Sequence, residues 1–102
     1  MTNTQPFVLS QSIQSDLITL CRHNDVKQLS LFGSTARGEA TAHSDLDLLI
    51  EFSARKSLLA VIRLERQFSV LFGKDVDLLT EAAISPYLRN RIKQEAQVLY
   101  AA

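Results

Sequence analysis

The sequence predicts an α+β domain with α/β-like organisation, in which flanking helices cover a small mixed sheet of three or slightly more strands. Two observations support this fold class. Three short segments alternate apolar residues in the manner of strands, and the segments around them repeat apolar residues at helical spacing. The junctions carry residue types that commonly begin or end helices, such as glycine and serine-proline. The predicted order is helix, strand, short helix, strand, helix, strand, helix.

Length and composition indicate one domain in a reducing compartment. A chain of 102 residues can build one modest core but not two. Eleven basic and eleven acidic residues give zero net charge, so there is no electrostatic argument for stable nucleic-acid binding. The single cysteine excludes an internal disulfide, and no apolar run approaches the ~20 residues of a membrane span. We therefore expect a cytoplasmic protein without membrane contact, forming one domain over residues 1–102 with residues 1–7 flexible.

The first elements are a helix and a strand. Apolar residues from Leu9 to Cys21 recur at helical spacing, and either Ser10 or Ser12 can cap the start of this helix. The following segment, Val26–Phe32, alternates its side chains as a strand does.

A turn and a second strand follow. Gly33 breaks the first strand, and Ser34–Glu39 is long enough for one or two helical turns. A polar loop then leads into a strand over Asp45–Phe52. Its apolar residues face one side, and its first acidic residues face the other.

The second half begins with the longest helical signal of the chain. Ser57–Phe72 has a broad apolar face, and Gly73 is suited to end that helix. Asp75–Thr80 is a third strand, and Pro86 marks the first position of a last helix. The apolar stripe of that last helix consists of Leu88, Ile92, Ala96 and Leu99.

Strand directions follow from the connections. If the end of the first strand and the start of the second form one site, those two strands run antiparallel. The third strand follows a helical crossover and carries Asp77 near its start, so it should run parallel to the second. We expect the helices to pack mainly against one face of this mixed sheet.

Three acidic residues form one half of a candidate site. Asp45 and Asp47 are two residues apart, so on a strand their carboxylates share a face, with Cα atoms about 6.6 Å apart. Asp77 on a neighbouring strand can complete a three-carboxylate cluster, and Asp75 on the same face is the alternative. Such a cluster stays ionised only beside a cation, and Mg²⁺ combines carboxylates with phosphate oxygens. The acids therefore predict metal-assisted phosphoryl or nucleotidyl transfer, with two ions about 3.5–4 Å apart.

The turn after the first strand supplies the other half. Gly33 lets the backbone approach a phosphate, and Ser34 offers a hydroxyl at a helix N-terminus, where anions are favoured. The planar guanidinium of Arg37, about one turn later, suits the same phosphates. The alternative is structural, with Ser34 capping the short helix and Arg37 paired with Glu39. We favour a cradle for a nucleoside triphosphate.

These residues resemble a known signature. GSTARG followed by SDLDLLI is similar to the pattern GSxxRG…SDxDL of nucleotidyltransferases in the DNA polymerase beta superfamily. The later segment GKDVDLLT is similar to the strand that carries the third acid in that superfamily. The short chain resembles the minimal nucleotidyltransferase (MNT) branch, whose members are often the antitoxin partners of HEPN-domain toxins. The resemblance covers roughly Leu9 to Tyr100 and implies a polymerase beta-type core.

The resemblance implies roles for six residues. Three acids would be catalytic and would bind magnesium, namely Asp45, Asp47 and Asp77. Three residues would hold the triphosphate of ATP, namely Gly33, Ser34 and Arg37. Some members of the family transfer AMP from ATP to a tyrosine of the partner toxin and thereby silence it.

The size of the chain bears on the acceptor. A templated polymerase or a tRNA-tailing enzyme needs further domains to hold nucleic acid, and 102 residues supply only a catalytic core. We therefore expect a magnesium-dependent antitoxin that transfers AMP to a hydroxyl, expected to be a tyrosine, of a HEPN-like toxin. The alternative is a non-catalytic antitoxin that neutralises its toxin by binding alone. A third possibility, nucleotidylation of RNA or of a small molecule, requires an acceptor-binding region that we do not find in the sequence.

Overall fold

The computed structural model describes residues 9–33 and 45–102. Within them lie three α-helices, four strands and one 3₁₀ turn. In chain order these are α1 (Gln11–His23), β1 (Val26–Phe32), β2 (Leu46–Phe52), α2 (Leu58–Phe72), β3 (Val76–Thr80), the 3₁₀ turn (Glu81–Ala83), α3 (Pro86–Glu95) and β4 (Gln97–Ala101). The predicted short helix over Ser34–Glu39 lies outside the described residues.

The strands form one mixed sheet in the order β3-β2-β1-β4. β1 and β2 run antiparallel, whereas β2 and β3 run parallel on either side of the α2 crossover. This arrangement confirms the strand directions expected from the connections. The bounds of β1 are as predicted, while β2 and β3 each begin one residue later than expected.

The C-terminal segment differs from the prediction of one continuous helix. α3 ends at Glu95, and Gln97–Ala101 forms the edge strand β4, so a helical stripe reaching Leu99 is wrong. β4 runs antiparallel to β1, where Tyr100 pairs with Leu29. The free edge of β1 has amide and carbonyl groups that need partners, and the β-forming residues of the last segment supply them. Tertiary pairing thus outweighs the helical spacing of the apolar residues.

The core lies between one face of the sheet and the first two helices. α1 contributes Leu17, and α2 contributes Leu64 and Phe68, all almost completely buried. The buried apolar residues of the central strands are Val26, Leu29, Leu31, Leu46, Leu48 and Ile50. Each such side chain contributes about 1.5–3 kcal/mol relative to an exposed one. The expectation that helices pack mainly on one face holds for α1 and α2, whereas α3 has no buried residue.

Side-chain and glycine caps define the helix ends. Ser10, rather than Ser12, caps α1, because its hydroxyl accepts the Ile13 amide at 3.2 Å. Ser57 caps α2 with the same geometry. Gly73 ends α2 in the left-handed conformation, with φ of +67°. None of the helices in the described ranges combines the length and apolarity needed to cross a membrane.

The buried thiol of Cys21 gives a test of this packing. Cys21 is inaccessible on α1, and burial raises the pKa of its thiol to about 12. We expect a thiol-specific reagent at pH 8 to label the chain only after denaturation, because the native thiol is both neutral and shielded. Labelling of the folded chain at the rate of a free thiol would contradict this packing.

The same shift predicts the direction of a pH effect on stability. The unfolded thiol ionises near its ordinary pKa of 9.0 and the folded one near 12. Between these values the unfolded state binds fewer protons, so the free energy of unfolding falls as pH rises above about 9. Denaturant titrations at pH 8 and pH 10.5 should show a smaller fall in Cys21→Ala than in the wild type.

Candidate active site

Two of the predicted acids lie opposite each other in the sheet. The parallel register of β2 and β3 pairs Asp47 with Asp77, which places their Cα atoms about 4.8 Å apart. Asp47 also pairs with Phe32, the last residue of β1. The end of β1 and the starts of β2 and β3 therefore meet at one edge of the sheet, as the sequence predicts. Asp77 is exposed, and Asp47 is half-buried.

Asp45 lies immediately before β2 and is exposed. The ladder to the β3 segment begins next to it, where the Leu46 amide donates to the Asp75 carbonyl at 2.9 Å. Asp77, and not Asp75, is the residue opposite Asp47. Among residues 9–33 and 45–102 we find no group of three or more His, Cys, Asp or Glu side chains that could hold a metal ion. The described structure thus aligns two acids and leaves the third beside them.

Gly33 is in close contact with Asp47. Its φ is +78°, and a Cβ atom built on it would collide with Oδ2 of Asp47 and lie 3.3 Å from Cγ. Only glycine adopts this backbone conformation readily and leaves room for the carboxylate. The structure therefore brings together one residue of the predicted phosphate turn and one predicted metal ligand. Ser34 and Arg37 lie outside the described residues.

The donor chemistry of this edge fits magnesium. Asp47 and Asp77 present carboxylates from neighbouring strands, and hard oxygen ligands of this type are those that Mg²⁺ takes. The absence of a side chain at position 33 lets the carboxylate of Asp47 lie directly against the backbone at the end of β1. We treat these two acids, with Asp45 beside them, as the candidate ligands.

Two residues of α2 position β3 and were not found from the sequence. The Leu78 amide donates to Oε2 of Glu65 at 2.9 Å, and the Val76 amide donates to the Ser69 hydroxyl at 3.1 Å. These bonds take up the outer amides on both sides of Asp77, on a strand that lies at the edge of the sheet. A possible signal was that Glu65 and Ser69 are four residues apart, beside the apolar face of α2.

Comparison with known proteins identifies the family. Residues 16–99 match the model of the nucleotidyltransferase domain. The chain belongs to this family. A relative in Methanocaldococcus jannaschii, assigned as a protein adenylyltransferase, is 43% identical over 84 residues, which are 82% of this chain and 90% of the relative. The family match confirms the resemblance to nucleotidyltransferases that the motifs predicted.

Solved structures agree with the fold. A chain described as a minimal nucleotidyltransferase has a TM-score of 0.76 at 32% identity, over 94% of this chain and 98% of that one. A chain from the complex of a tri-AMPylated Shewanella oneidensis HEPN toxin with its MNT antitoxin has a TM-score of 0.66 at 21% identity, over 92% of this chain and 74% of that one. The second likeness concerns the fold alone. The α+β nucleotidyltransferase architecture is thereby confirmed.

Replacement of the two left-handed glycines separates backbone strain from the contact at the site. Gly73→Ala should lower the free energy of unfolding by about 1–2 kcal/mol, because a Cβ is unfavourable at its φ and nothing lies within 4 Å of it. Gly33→Ala should be more destabilising, since its Cβ also collides with Asp47. Denaturant unfolding measures both, and equal losses would contradict the close contact.

The contact between Glu65 and β3 can be tested separately. Glu65→Ala should lower the free energy of unfolding by roughly 1–3 kcal/mol and accelerate hydrogen exchange at the Leu78 amide, because a charge-assisted hydrogen bond is lost. Glu65→Gln, which keeps an acceptor oxygen, should recover most of the protection. Gln67→Ala, at an exposed position of the same helix, is the control and should leave Leu78 protected.

Proposed function

We propose that this protein is a magnesium-dependent adenylyltransferase antitoxin. It transfers AMP from ATP to a hydroxyl, expected to be a tyrosine, of a HEPN-type toxin and so neutralises that toxin. The observation that carries the proposal is the alignment of Asp47 with Asp77 beside Gly33, at the strand edge of a nucleotidyltransferase domain.

The acids have distinct roles in this proposal. Asp47 and Asp77, with Asp45 beside them, would hold magnesium, which when bound supplies charge neutralisation for the phosphates. Asp77 is exposed near the start of the edge strand, where an acceptor from another protein can approach. Its carboxylate would favour loss of the acceptor proton. The like charge of two neighbouring aspartates is what makes this edge selective for a cation.

The transfer itself is an in-line displacement. The acceptor oxygen forms a bond to the α-phosphorus of ATP, the bond from that phosphorus to the bridging oxygen breaks, and pyrophosphate leaves. Gly33 gives the triphosphate close access to the backbone, and the family resemblance adds Ser34 and Arg37 as its further ligands. The positive charge of Arg37 would offset the charge that develops on the leaving group.

The relatives support the choice of acceptor. The Methanocaldococcus jannaschii relative is assigned as a protein adenylyltransferase, and the present chain spans 90% of its length. The Shewanella oneidensis complex pairs an MNT antitoxin with a HEPN toxin that carries three AMP groups. An acceptor on a partner protein also fits a domain whose described part is filled by one small core.

Neutralisation by binding alone is the second candidate. It is favoured by the observation that Asp45 is not gathered with the other acids into one metal-holding group within residues 9–33 and 45–102. A binder needs no such group.

Matched aspartate variants distinguish the two functions. Asp47→Asn and Asp77→Asn should each lower AMP transfer to a co-expressed toxin at least about a hundredfold, because each removes a charge that the transition state requires. Asp75→Asn, two residues from Asp77 and exposed, is the control and should transfer normally. Partner mass, followed with and without ATP and Mg²⁺, is the measurement.

The two functions predict different results in this experiment. Transfer by Asp47→Asn at the wild-type rate would refute the catalytic role of the aligned acids. Unmodified toxin held in a tight complex by the wild-type chain, in the presence of ATP and Mg²⁺, would establish neutralisation by binding instead.

A further inference from the structure

A cavity of about 280 Å³ lies on the sheet face that carries Asp47, away from the apolar core. Its walls come from three strands, the 3₁₀ turn and α3, and they include Gln28, Ser30, Leu49 and Val98. We call it the α3 cavity. The family match and the predicted signature leave it without a role.

The strand register places this cavity next to the candidate metal site. Leu49 and Glu51 follow Asp47 by two and four residues on β2, so they share its face at about 6.6 and 13 Å along the strand. Ser30 lies opposite Leu49, and Gln28 lies opposite Glu51. The base of a nucleotide whose α-phosphate lies at Asp47 would therefore extend along this face toward Leu49 and Ser30.

The floor of the α3 cavity contains a buried serine hydroxyl whose proton has no acceptor among the described residues. Ser30 is only 4% exposed and is the one polar residue among the buried side chains of the described ranges. Its Oγ atom accepts a long hydrogen bond of 3.4 Å from Nε2 of Gln28. Within residues 9–33 and 45–102, no acceptor receives the Ser30 hydroxyl proton. A buried donor in this state favours a ligand that brings an acceptor.

The remaining walls favour a flat, partly apolar ligand. Leu49 and Val98 line the cavity, and Val98 is an apolar residue left 53% exposed. Lys93 of α3 closes one side, where its ammonium lies 2.9 Å from Glu81. A ring with apolar faces and a hydrogen-bonding edge fits walls of this kind.

We propose that the α3 cavity binds the adenine base of the nucleotide substrate, and that Gln28 and Ser30 recognise the edge of this base through hydrogen bonds. The Oε1 atom of Gln28 can accept a hydrogen bond from N6 of adenine while the Ser30 hydroxyl donates to N7, whereas guanine presents two acceptors on that edge. The Ser30 hydroxyl gains the acceptor that it lacks. The proposal rests on the proposed nucleotidyltransferase function, which it extends to the choice of base.

A tyrosine side chain fits the α3 cavity less well. Its single hydroxyl must reach the α-phosphate beside Asp47, so it cannot also satisfy the polar floor at Gln28 and Ser30. The base, in contrast, lies at the end of the nucleotide remote from the reacting atoms. The two occupants therefore predict different effects of the same substitutions.

Binding measurements with ligands that carry or lack a base test the proposal. Calorimetry with Mg²⁺ compares ATP, GTP and inorganic tripolyphosphate, which lacks a base. The wild type should bind ATP more tightly than GTP. Gln28→Leu should weaken ATP binding roughly tenfold and leave tripolyphosphate binding unchanged, because only the edge contacts of the base are lost. Gln14→Leu, at an exposed position of α1 on the other side of the sheet, is the matched control.

A second variant keeps the test decisive if Gln28→Leu folds poorly. Val98→Phe fills the α3 cavity from its exposed rim and should also weaken ATP binding without affecting tripolyphosphate. Equal affinity of the wild type for ATP and tripolyphosphate would overturn the proposal. So would equal losses for both ligands in either variant, or a raised KM for the toxin with unchanged ATP affinity, which would assign the cavity to the acceptor side chain.

The same measurements separate this proposal from the function on which it rests. A wild-type chain that prefers ATP through Gln28 but transfers no AMP would support the base site and refute the enzyme. Transfer without any base preference would support the enzyme and refute the base site.

Discussion

The parallel pairing of β2 with β3 is the constraint on which the candidate site depends. Its register sets Asp47 against Asp77, and this juxtaposition of like charges is unfavourable without a cation. The pairing requires a crossover, and α2 provides it. The same helix then uses Glu65 and Ser69 to bind the outer amides of β3. α2 thus connects β2 to β3, contributes to the core and holds the strand that carries Asp77 in place.

The side chains of the central strands point alternately to the two faces of the sheet, and these faces have different environments. On one face, leucines and isoleucine pack against α1 and α2 and hold the sheet in place. On the other face, the same strands present Asp47 at one end and the floor of the α3 cavity farther along. Since a shift of one residue would exchange these faces, the apolar core also fixes the position of the acids. The stability of the fold and the geometry of the site are therefore coupled.

The C-terminal strand helps to form the α3 cavity on the sheet face that carries Asp47. β4 pairs with the free edge of β1, which places Val98 opposite Ser30. α3, which precedes β4 and has no buried residue, then lies beside this face instead of in the core. A continuous C-terminal helix would have left β1 as an open edge and removed this wall. The pairing of Gln97–Ala101 as β4, where a helix was predicted, therefore also provides one wall of the α3 cavity.

The sequence by itself determined what depends on neighbours along the chain. The bounds of β1, the glycine that ends α2 and the position of Asp47 on the strand face opposite the core residues follow from local periodicity and turn chemistry. The same local chemistry left Ser10 and Ser12 as alternative caps of α1, and the structure decided for Ser10. The family signature assigned Ser34 and Arg37, which remain predictions. Only the tertiary structure decided the fold of Gln97–Ala101, the partners of Glu65 and the set of residues that line the α3 cavity. These features depend on contacts between strand edges and polar groups that are far apart along the chain. Local sequence patterns do not predict such contacts.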